Sequence, residues 1–396
     1  MLLSYSVSNF HSFAEHTAIS LCLTSRDVVQ GWERTTTSGQ RVSTAMAVVG
    51  ANGAGKSNLV KAGPFLAWFV RDSFALKPGE PIAFMAHEAM KAEPAEFEVE
   101  TEDEEGVRWR YELRATRERV LREALYRRGT QPGERHSYVF VREADGSGYS
   151  VKQQEFGLAE SEALKVRPNV SLIAWGKQYG APMAVKVATF ALGTNLTMAG
   201  RLAAPNDEMW QAAEFFNREQ VLHKQMAQLL RAWDLGLTDV RIKSIESGEP
   251  GELAPKTRWY PMGVHKTNKS RFELPFAYES SGTKTALVLL WRLLPVLQQG
   301  GVAFIDELEA DLHPHMIEPI LRLFHDEETN PHGAQIIFTC QSPEVLRLLE
   351  RTQVTFVEKV DCISTAFRGD EIEGLTSAHN LYAKYMTGAL GAVPLL

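Results

Sequence analysis

The chain has 396 residues, of which 44% are hydrophobic and 23% are charged, a balance typical of a globular protein. With 42 Lys and Arg against 49 Asp and Glu, the formal net charge is −7. This charge excludes a global attraction to nucleic acid and leaves any DNA contact to a local patch or a basic partner. The three cysteines are far apart, which argues against a disulfide scaffold or a zinc site and predicts a cytoplasmic protein. Because the sequence has no apolar run of about eighteen residues, we predict no membrane contact.

A short apolar segment near the N-terminus predicts a buried parallel strand. Residues 45–49 are all apolar and are followed at once by Gly50, as expected for a strand covered on both faces. Helical residues begin at Asn58. An interior proline removes a helix hydrogen bond and costs about 3 kcal/mol, so we expect a broken helix at Gly63-Pro64.

The middle of the chain changes pattern twice. Residues 95–141 alternate between polar and apolar side chains, with turn residues such as Pro132-Gly133 between segments, which predicts an antiparallel meander. Residues 158–235 are mainly helical, most clearly at 214–234, where apolar side chains recur at three-to-four spacing. After residue 240, strands and helices alternate as in a parallel α/β sheet.

Residues 50–57 read GANGAGKS and match the complete phosphate-loop pattern. Glycines allow the backbone to wrap a phosphate, while the helix that follows adds its positive N-terminal end. Lys56 is expected to contact the β- and γ-phosphates of ATP, and the Ser57 hydroxyl to bind Mg²⁺. The residues predicted to bind the nucleotide here are Asn52, Gly53, Ala54, Gly55, Lys56, Ser57 and Asn58.

A second apolar segment, residues 301–305, ends in two carboxylates, Asp306 and Glu307. A phosphate-loop enzyme places its magnesium-ordering acid at the end of such a strand, which predicts this role for Asp306. Successive strand side chains point in opposite directions, so Glu307 is predicted to face the attacking water as the catalytic base.

The segment before the last long helix provides a third predicted contact. Ser280, Ser281 and Gly282 precede an apolar helix, where a hydroxyl and main-chain N–H groups suit a terminal phosphate. A plain helix N-cap is the alternative for these residues. We expect this signature loop and the phosphate loop to lie at different ends of the sheet, so that they meet only across a dimer interface.

Together, residues 9–13, 50–57, 279–284, 304–314 and 385–394 resemble the ABC-like AAA ATPases of bacterial anti-phage systems, relatives of OLD, RloA/AbiL and PARIS AriA. The resemblance implies a homodimeric or larger assembly with composite Mg-ATP sites that controls an effector. Because the chain ends at Leu396, a Toprim-type nuclease or toxin is expected as a separate protein, with a phage-encoded trigger.

The expected fold is α/β: an ABC-type P-loop ATPase with a mixed sheet, an antiparallel β-meander and a helical insertion. Residues 1–157 would form the N-terminal part of the ATPase domain, residues 158–239 the insertion, and residues 240–396 the C-terminal part.

Two positions depart from the family pattern. His11 replaces the usual arginine in the turn of residues 9–13, which weakens any arginine contact near the nucleotide. Gln341 replaces the usual switch histidine and is expected to hydrogen-bond the γ-phosphate or water without acting as an acid or base. Hydrolysis is therefore expected to be slow.

Two other functions remain open. A RecF-like DNA repair ATPase would need a basic DNA-facing surface, which the composition does not offer. The nucleotide-binding subunit of a membrane transporter would need a glutamine loop, which we do not recognise. The neighbouring gene would separate these alternatives: a nuclease or toxin, repair genes, or a permease.

Overall fold

The computed structural model describes residues 1–131, 133–202, 205–247, 256–377 and 379–393. Pro132 of the predicted meander turn and Pro394 of the C-terminal segment lie outside these ranges. None of the helices in the described part of the chain combines the length and apolar character that a membrane crossing needs.

The strands and helices have the following bounds. The strands are β1 (Leu2–Ser8), β2 (Thr17–Ser20), β3 (Cys22–Leu23), β4 (Glu33–Thr35), β5 (Arg41–Ser43), β6 (Ala45–Gly50), β7 (Ala95–Glu102), β8 (Arg108–Ala115), β9 (Val120–Arg128), β10 (Ser137–Asp145), β11 (Gly148–Gln153), β12 (Leu192–Thr194), β13 (Leu196–Thr197), β14 (Gly200–Arg201), β15 (Asp239–Ser247), β16 (Lys256–Lys266), β17 (Arg271–Pro275), β18 (Val302–Ile305), β19 (Gln335–Thr339), β20 (Val354–Val360) and β21 (Ile363–Arg368). The helices are α1 (Lys56–Asp72), α2 (Glu160–Ala163), α3 (Leu172–Gln178), α4 (Pro182–Ala188), α5 (Pro205–Arg218), α6 (Gln220–Ala232), α7 (Ser281–Gln299), α8 (Ile317–His325) and α9 (Leu381–Met386).

Two large sheets form the framework. The first is a seven-stranded antiparallel sheet in the order β11-β10-β9-β8-β7-β1-β2, which contains the predicted meander. The second is a six-stranded sheet in the order β12-β18-β19-β6-β20-β21, parallel except for β21. The predicted α/β class, with a mixed sheet and an antiparallel meander, is confirmed.

The six-stranded sheet separates two hydrophobic cores. Along β6, Ala45, Ala47 and Val49 belong to the core that contains α7 and α8. The alternate residues Met46 and Val48 belong to the core that contains α1 and the inner face of the antiparallel sheet. Because successive strand side chains point to opposite faces, α1 and α7 cover opposite faces of this sheet.

The predicted break in the first helix is wrong. Helix α1 continues through Pro64 to Asp72, although proline cannot donate a hydrogen bond to the preceding turn. Phe65 and Phe69 on this helix are fully buried, and burying such side chains contributes about 1.5–3 kcal/mol each. A Cβ atom at Gly63 would lie 2.2 Å from the Phe304 ring, so close packing on β18 outweighs the local cost.

The segment 158–239 differs from a purely helical insertion. Strand β12 lies inside it and pairs in parallel with β18, at the edge of the six-stranded sheet. The helix expected at residues 214–234 is two helices, α5 and α6, which are separated at Glu219. Glu219 has φ −96° and ψ 76°, outside the helical region. The six-stranded sheet therefore contains strands from all three predicted parts of the chain, residues 1–157, 158–239 and 240–396.

Candidate functional site

The phosphate loop joins strand β6 to helix α1. The strand ends at Gly50 and the helix begins at Lys56. Between them, Gly53 and Gly55 have φ values of 78° and 112°, which side chains with a Cβ atom rarely adopt. These conformations turn the backbone over the N-terminus of α1, where N–H groups and the helix dipole attract an anion.

Lys56 is buried beneath this loop. Its Nζ donates to the main-chain oxygens of Gly50 at 2.8 Å and Ala51 at 3.0 Å. Burial lowers the pKa of Lys56, and nearby carboxylates, Asp306 first and then Glu309, oppose that change. The lysine and the acidic segment after β18 therefore face one another across the carboxyl edge of the sheet.

Two serines support the phosphate loop from outside. Ser364 on β21 donates to the Ala54 carbonyl at 2.5 Å, and Asn58 donates to Ser12 Oγ at 3.0 Å. A Cβ atom at Gly55 would lie 2.5 Å from the Ser364 hydroxyl, so this position accepts only glycine without movement. Asn58, which the sequence assigned to the nucleotide, ties the start of α1 to the turn after β1.

The two acidic residues are held by main-chain and side-chain contacts. Asp306 is buried, and its Oδ1 accepts a hydrogen bond from Thr339 Oγ1 at 2.8 Å. The same hydroxyl accepts from Glu307 N at 2.7 Å. Asn195 lies directly after β12. Its Oδ1 accepts a hydrogen bond from the Asp306 N–H, and its Nδ2 donates to the Asp306 carbonyl, each at 2.8 Å. One strand end on either side of β18 therefore orients the acidic pair.

The Glu307 carboxylate has a partner on each oxygen. Gln341 Nε2 donates to Oε1 at 2.7 Å, and Arg201 Nε lies 3.0 Å from Oε2. Glu307 itself has φ 50°, in the left-handed region that few residues with a side chain occupy. The structure thus brings Gln341 and Glu307 together and adds Arg201, which sequence reasoning missed.

Glu309 is a second residue that sequence reasoning missed. Its Oε1 accepts main-chain N–H groups from Gln341 at 2.5 Å and Ser342 at 3.3 Å. Its Oε2 is buried without a hydrogen-bond partner, which costs about 1–3 kcal/mol or more for a charged group. An acid two residues after Glu307, on the turn that leaves the strand, was the signal available in the sequence.

His11 does not supply the positive charge of the arginine that the family usually has at this position. Burial, together with the nearby Lys61 ammonium, lowers the pKa of His11 to about 4, so the ring is neutral at pH 7. Its Nε2 is buried without a partner, and the ring lies edge-on against Phe10. The turn of residues 9–13 therefore contributes packing and the Ser12 contact, without a cation from His11.

The signature segment begins helix α7. Ser280 caps the helix, because its Oγ accepts the Thr283 N–H at 3.1 Å, while Ser281 at the first helical position is exposed. A Cβ atom at Gly282 would lie 2.9 Å from the Asp311 carbonyl. Ser280 is thus an N-cap, and Gly282 in the first turn of the helix lies against Asp311 of the same chain.

The expected position of the two loops needs correction. Helix α7 leads through a short turn into β18, so its N-terminus lies at the carboxyl edge, where α1 also begins. The two loops are therefore at the same edge of the sheet and not at different ends. They are separated because α1 and α7 cover opposite faces.

The residues at this edge fit magnesium and a polyphosphate. The phosphate loop offers N–H groups and an ammonium, and Ser57 and Asp306 offer the oxygen ligands that Mg²⁺ prefers. Within the described ranges, no three His, Cys, Asp or Glu side chains are grouped to hold a metal ion. Mg²⁺ in such sites is commonly held by one or two protein oxygens together with substrate phosphates.

Comparison with known proteins identifies the family. A model described as an "AAA domain", with "AbiEii toxin, Type IV TA system" in its description, matches residues 45–160 and 194–347. The chain belongs to this AAA-domain family. The two matched segments contain the phosphate loop and the acidic pair, and the gap between them falls on helices α2 to α4. No curated protein matches the AAA-family chain in sequence.

Several solved structures are similar to this AAA-family chain. They include the SMC head domain from Thermotoga maritima (15% identity, 93% of this chain and 98% of that chain, TM-score 0.42) and the Smc head domain with a coiled coil and joint from Pyrococcus yayanosii (12%, 98% and 99%, TM-score 0.46). A third is the recombination mediator protein RecF-ATP in the RecFOR pathway (12%, 86% and 92%, TM-score 0.38).

Lys56→Ala should remove ATP binding and leave the fold intact, because the buried ammonium is matched by main-chain oxygens and by phosphate. Isothermal titration calorimetry should show an affinity loss of at least about tenfold, or about 1.4 kcal/mol. Lys91→Ala is the matched control, since Lys91 is exposed and pairs with Glu88 on the surface. Equal ATP affinity in Lys56→Ala and the parent would refute the phosphate-loop assignment.

Proposed function

We propose that two copies of this chain bind Mg-ATP between them and hydrolyse it slowly, and that the resulting assembly controls a separate effector in anti-phage defence. The composite site is supported by the positions of the two loops on the six-stranded sheet. The phosphate loop and the signature share one edge but lie on opposite faces. A second copy related by two-fold symmetry would present its signature to the first copy's phosphate loop, giving two equivalent sites.

In this proposal each group has a distinct task. The residues 52–57 of the phosphate loop and Lys56 would hold the phosphates, while Ser57 and Asp306 would hold Mg²⁺, which supplies charge neutralisation when bound. Glu307 accepts a proton from the attacking water, and Gln341 orients the Glu307 carboxylate through the 2.7 Å hydrogen bond to Oε1. Ser280, Ser281 and Gly282 would complete the site from the partner copy.

The defence role rests on the family. The family description names a toxin of a toxin–antitoxin system, which supports control of a toxic activity. The resemblance described above supports a Toprim-type nuclease or toxin as the effector and a phage-encoded trigger, and the widely spaced cysteines support a cytoplasmic assembly. Gln341 is exposed and cannot exchange a proton near neutral pH, which supports slow hydrolysis and a signalling use of ATP.

A RecF-like repair ATPase is the second candidate, and the surface charges favour it less. The basic stretch at residues 117–128 lies on the antiparallel sheet, where two of its five arginines have acidic partners. Arg122 pairs with Glu112 at 2.5 Å, and Arg127 pairs with Glu155 at 2.6 Å. Paired charges attract phosphates weakly, so these two arginines favour a solvated surface over a DNA-binding one.

Glu307→Gln should trap an ATP-bound dimer, because water loses its base while Asp306 and Lys56 remain in place. Light scattering with Mg-ATP should show dimers that persist, and turnover should fall at least about 100-fold. Glu318→Gln is the control, since Glu318 is an exposed helix residue paired with Arg322. Parental turnover in Glu307→Gln would show that Glu307 is not the base.

The defence role requires a test in cells. Cells that carry the gene of this chain with its genomic neighbours should form fewer phage plaques than cells with an empty vector. Lys56→Ala should abolish the difference, because the assembly would not form without ATP. Equal plating of the parent and the empty vector on a broad phage panel, with increased sensitivity to DNA damage when the gene is deleted, would favour the repair function instead.

A further inference from the structure

A short hairpin next to the site connects to both acidic residues. Strands β13 and β14 pair with one another, and Thr197 Oγ1 donates to Gly200 O at 3.0 Å. At the start of the hairpin, the Asn195 side chain is bonded in both directions to the Asp306 main chain. At its end, Arg201 Nε lies 3.0 Å from Glu307 Oε2. The two arms therefore hold adjacent residues of the acidic pair.

Arg201 is the one cation that forms an ion pair with Glu307 among the described residues. The two side chains are each about one third exposed, at 29% and 33%, so solvent screens their attraction and the pair adds little to stability. A contact that contributes little to stability yet fixes a reacting carboxylate has its main effect on orientation.

We infer that Arg201 is a positioning residue for Glu307, an inference that rests on the proposed hydrolysis by Glu307. An ionised carboxylate has about four lone-pair sites. Gln341 donates a hydrogen bond to Oε1 and the Arg201 guanidinium forms an ion pair with Oε2. These two contacts restrict rotation of the carboxylate and leave lone pairs for water. A base held by an orienting partner is the arrangement that efficient proton transfer requires.

The position of Arg201 also explains why the segment before α5 matters to the site. The hairpin follows β12, which pairs with β18 directly before the acidic residues. Its anchor at Asn195 is 111 residues from Asp306 in sequence, yet the hydrogen bonds between them are 2.8 Å. A shift of the hairpin would therefore move the Arg201 guanidinium relative to Glu307.

The test is steady-state ATP hydrolysis by full-length Arg201→Ala, Arg201→Lys and the control Arg218→Ala. Arg218 is an exposed residue at the end of α5. Arg201→Ala should lower kcat about 10- to 100-fold, the size of effect expected when a reacting group loses its orientation. KM for ATP should change less than about twofold. Arg201→Lys should recover part of kcat, and Arg218→Ala should match the parent.

A double variant separates positioning from a general structural effect. Adding Arg201→Ala to Glu307→Gln should cause no further loss of kcat, because Arg201 acts through the carboxylate that Glu307→Gln removes. An additive loss, a parental or increased kcat in Arg201→Ala, or a rise in KM that matches the fall in kcat would overturn the inference. If Glu307→Gln itself hydrolyses ATP at the parental rate, the proposed function fails first.

Discussion

The parallel alignment of β6, β19 and β18 is the constraint on which the site depends. The pairs Ile336 with Ala45 and Ile337 with Phe304 set the register of these three strands. In that register their carboxyl ends finish at one edge and deliver the phosphate loop, the switch residues and the acidic pair to the same place. Such an edge is where open α/β sheets bind ligands.

The polar contacts around that edge preserve the orientation of carboxylates that would otherwise repel each other. Thr339 forms hydrogen bonds with both Asp306 and Glu307. Glu309 accepts hydrogen bonds from the main chain of Gln341 and Ser342. These bonds keep three acids near a buried lysine whose pKa burial lowers. A fold that retains such charges and an unpaired buried oxygen on Glu309 accepts a stability cost, as functional sites often do.

The parts of the site that are contiguous in sequence could be predicted, because local residues alone form them. The phosphate loop and the Asp306-Glu307 strand end are of this kind. Asn195, Thr339 and Arg201 could not be found, because their roles arise from strand pairing across long sequence separations. The continuous helix α1 was missed for a related reason: its packing on Phe304 outweighs Pro64. The sequence prediction also placed the two loops at different ends of the sheet. The order of α7 and β18, together with the parallel pairing of the strands, places them at the same edge.

The most direct test of a composite site is a mixture of two inactive variants, Lys56→Ala and Ser281→Asp. Ser281 is preferred to Gly282, whose Cβ would meet Asp311 of its own chain. An aspartate in the first helical turn suits the helix dipole and would repel the partner's phosphate. A mixed dimer has one parental site, so ATPase activity should recover to as much as about half that of a parental dimer. Mixed dimers that native mass spectrometry confirms but that remain inactive, or full activity of Ser281→Asp alone, would contradict a site shared between two copies.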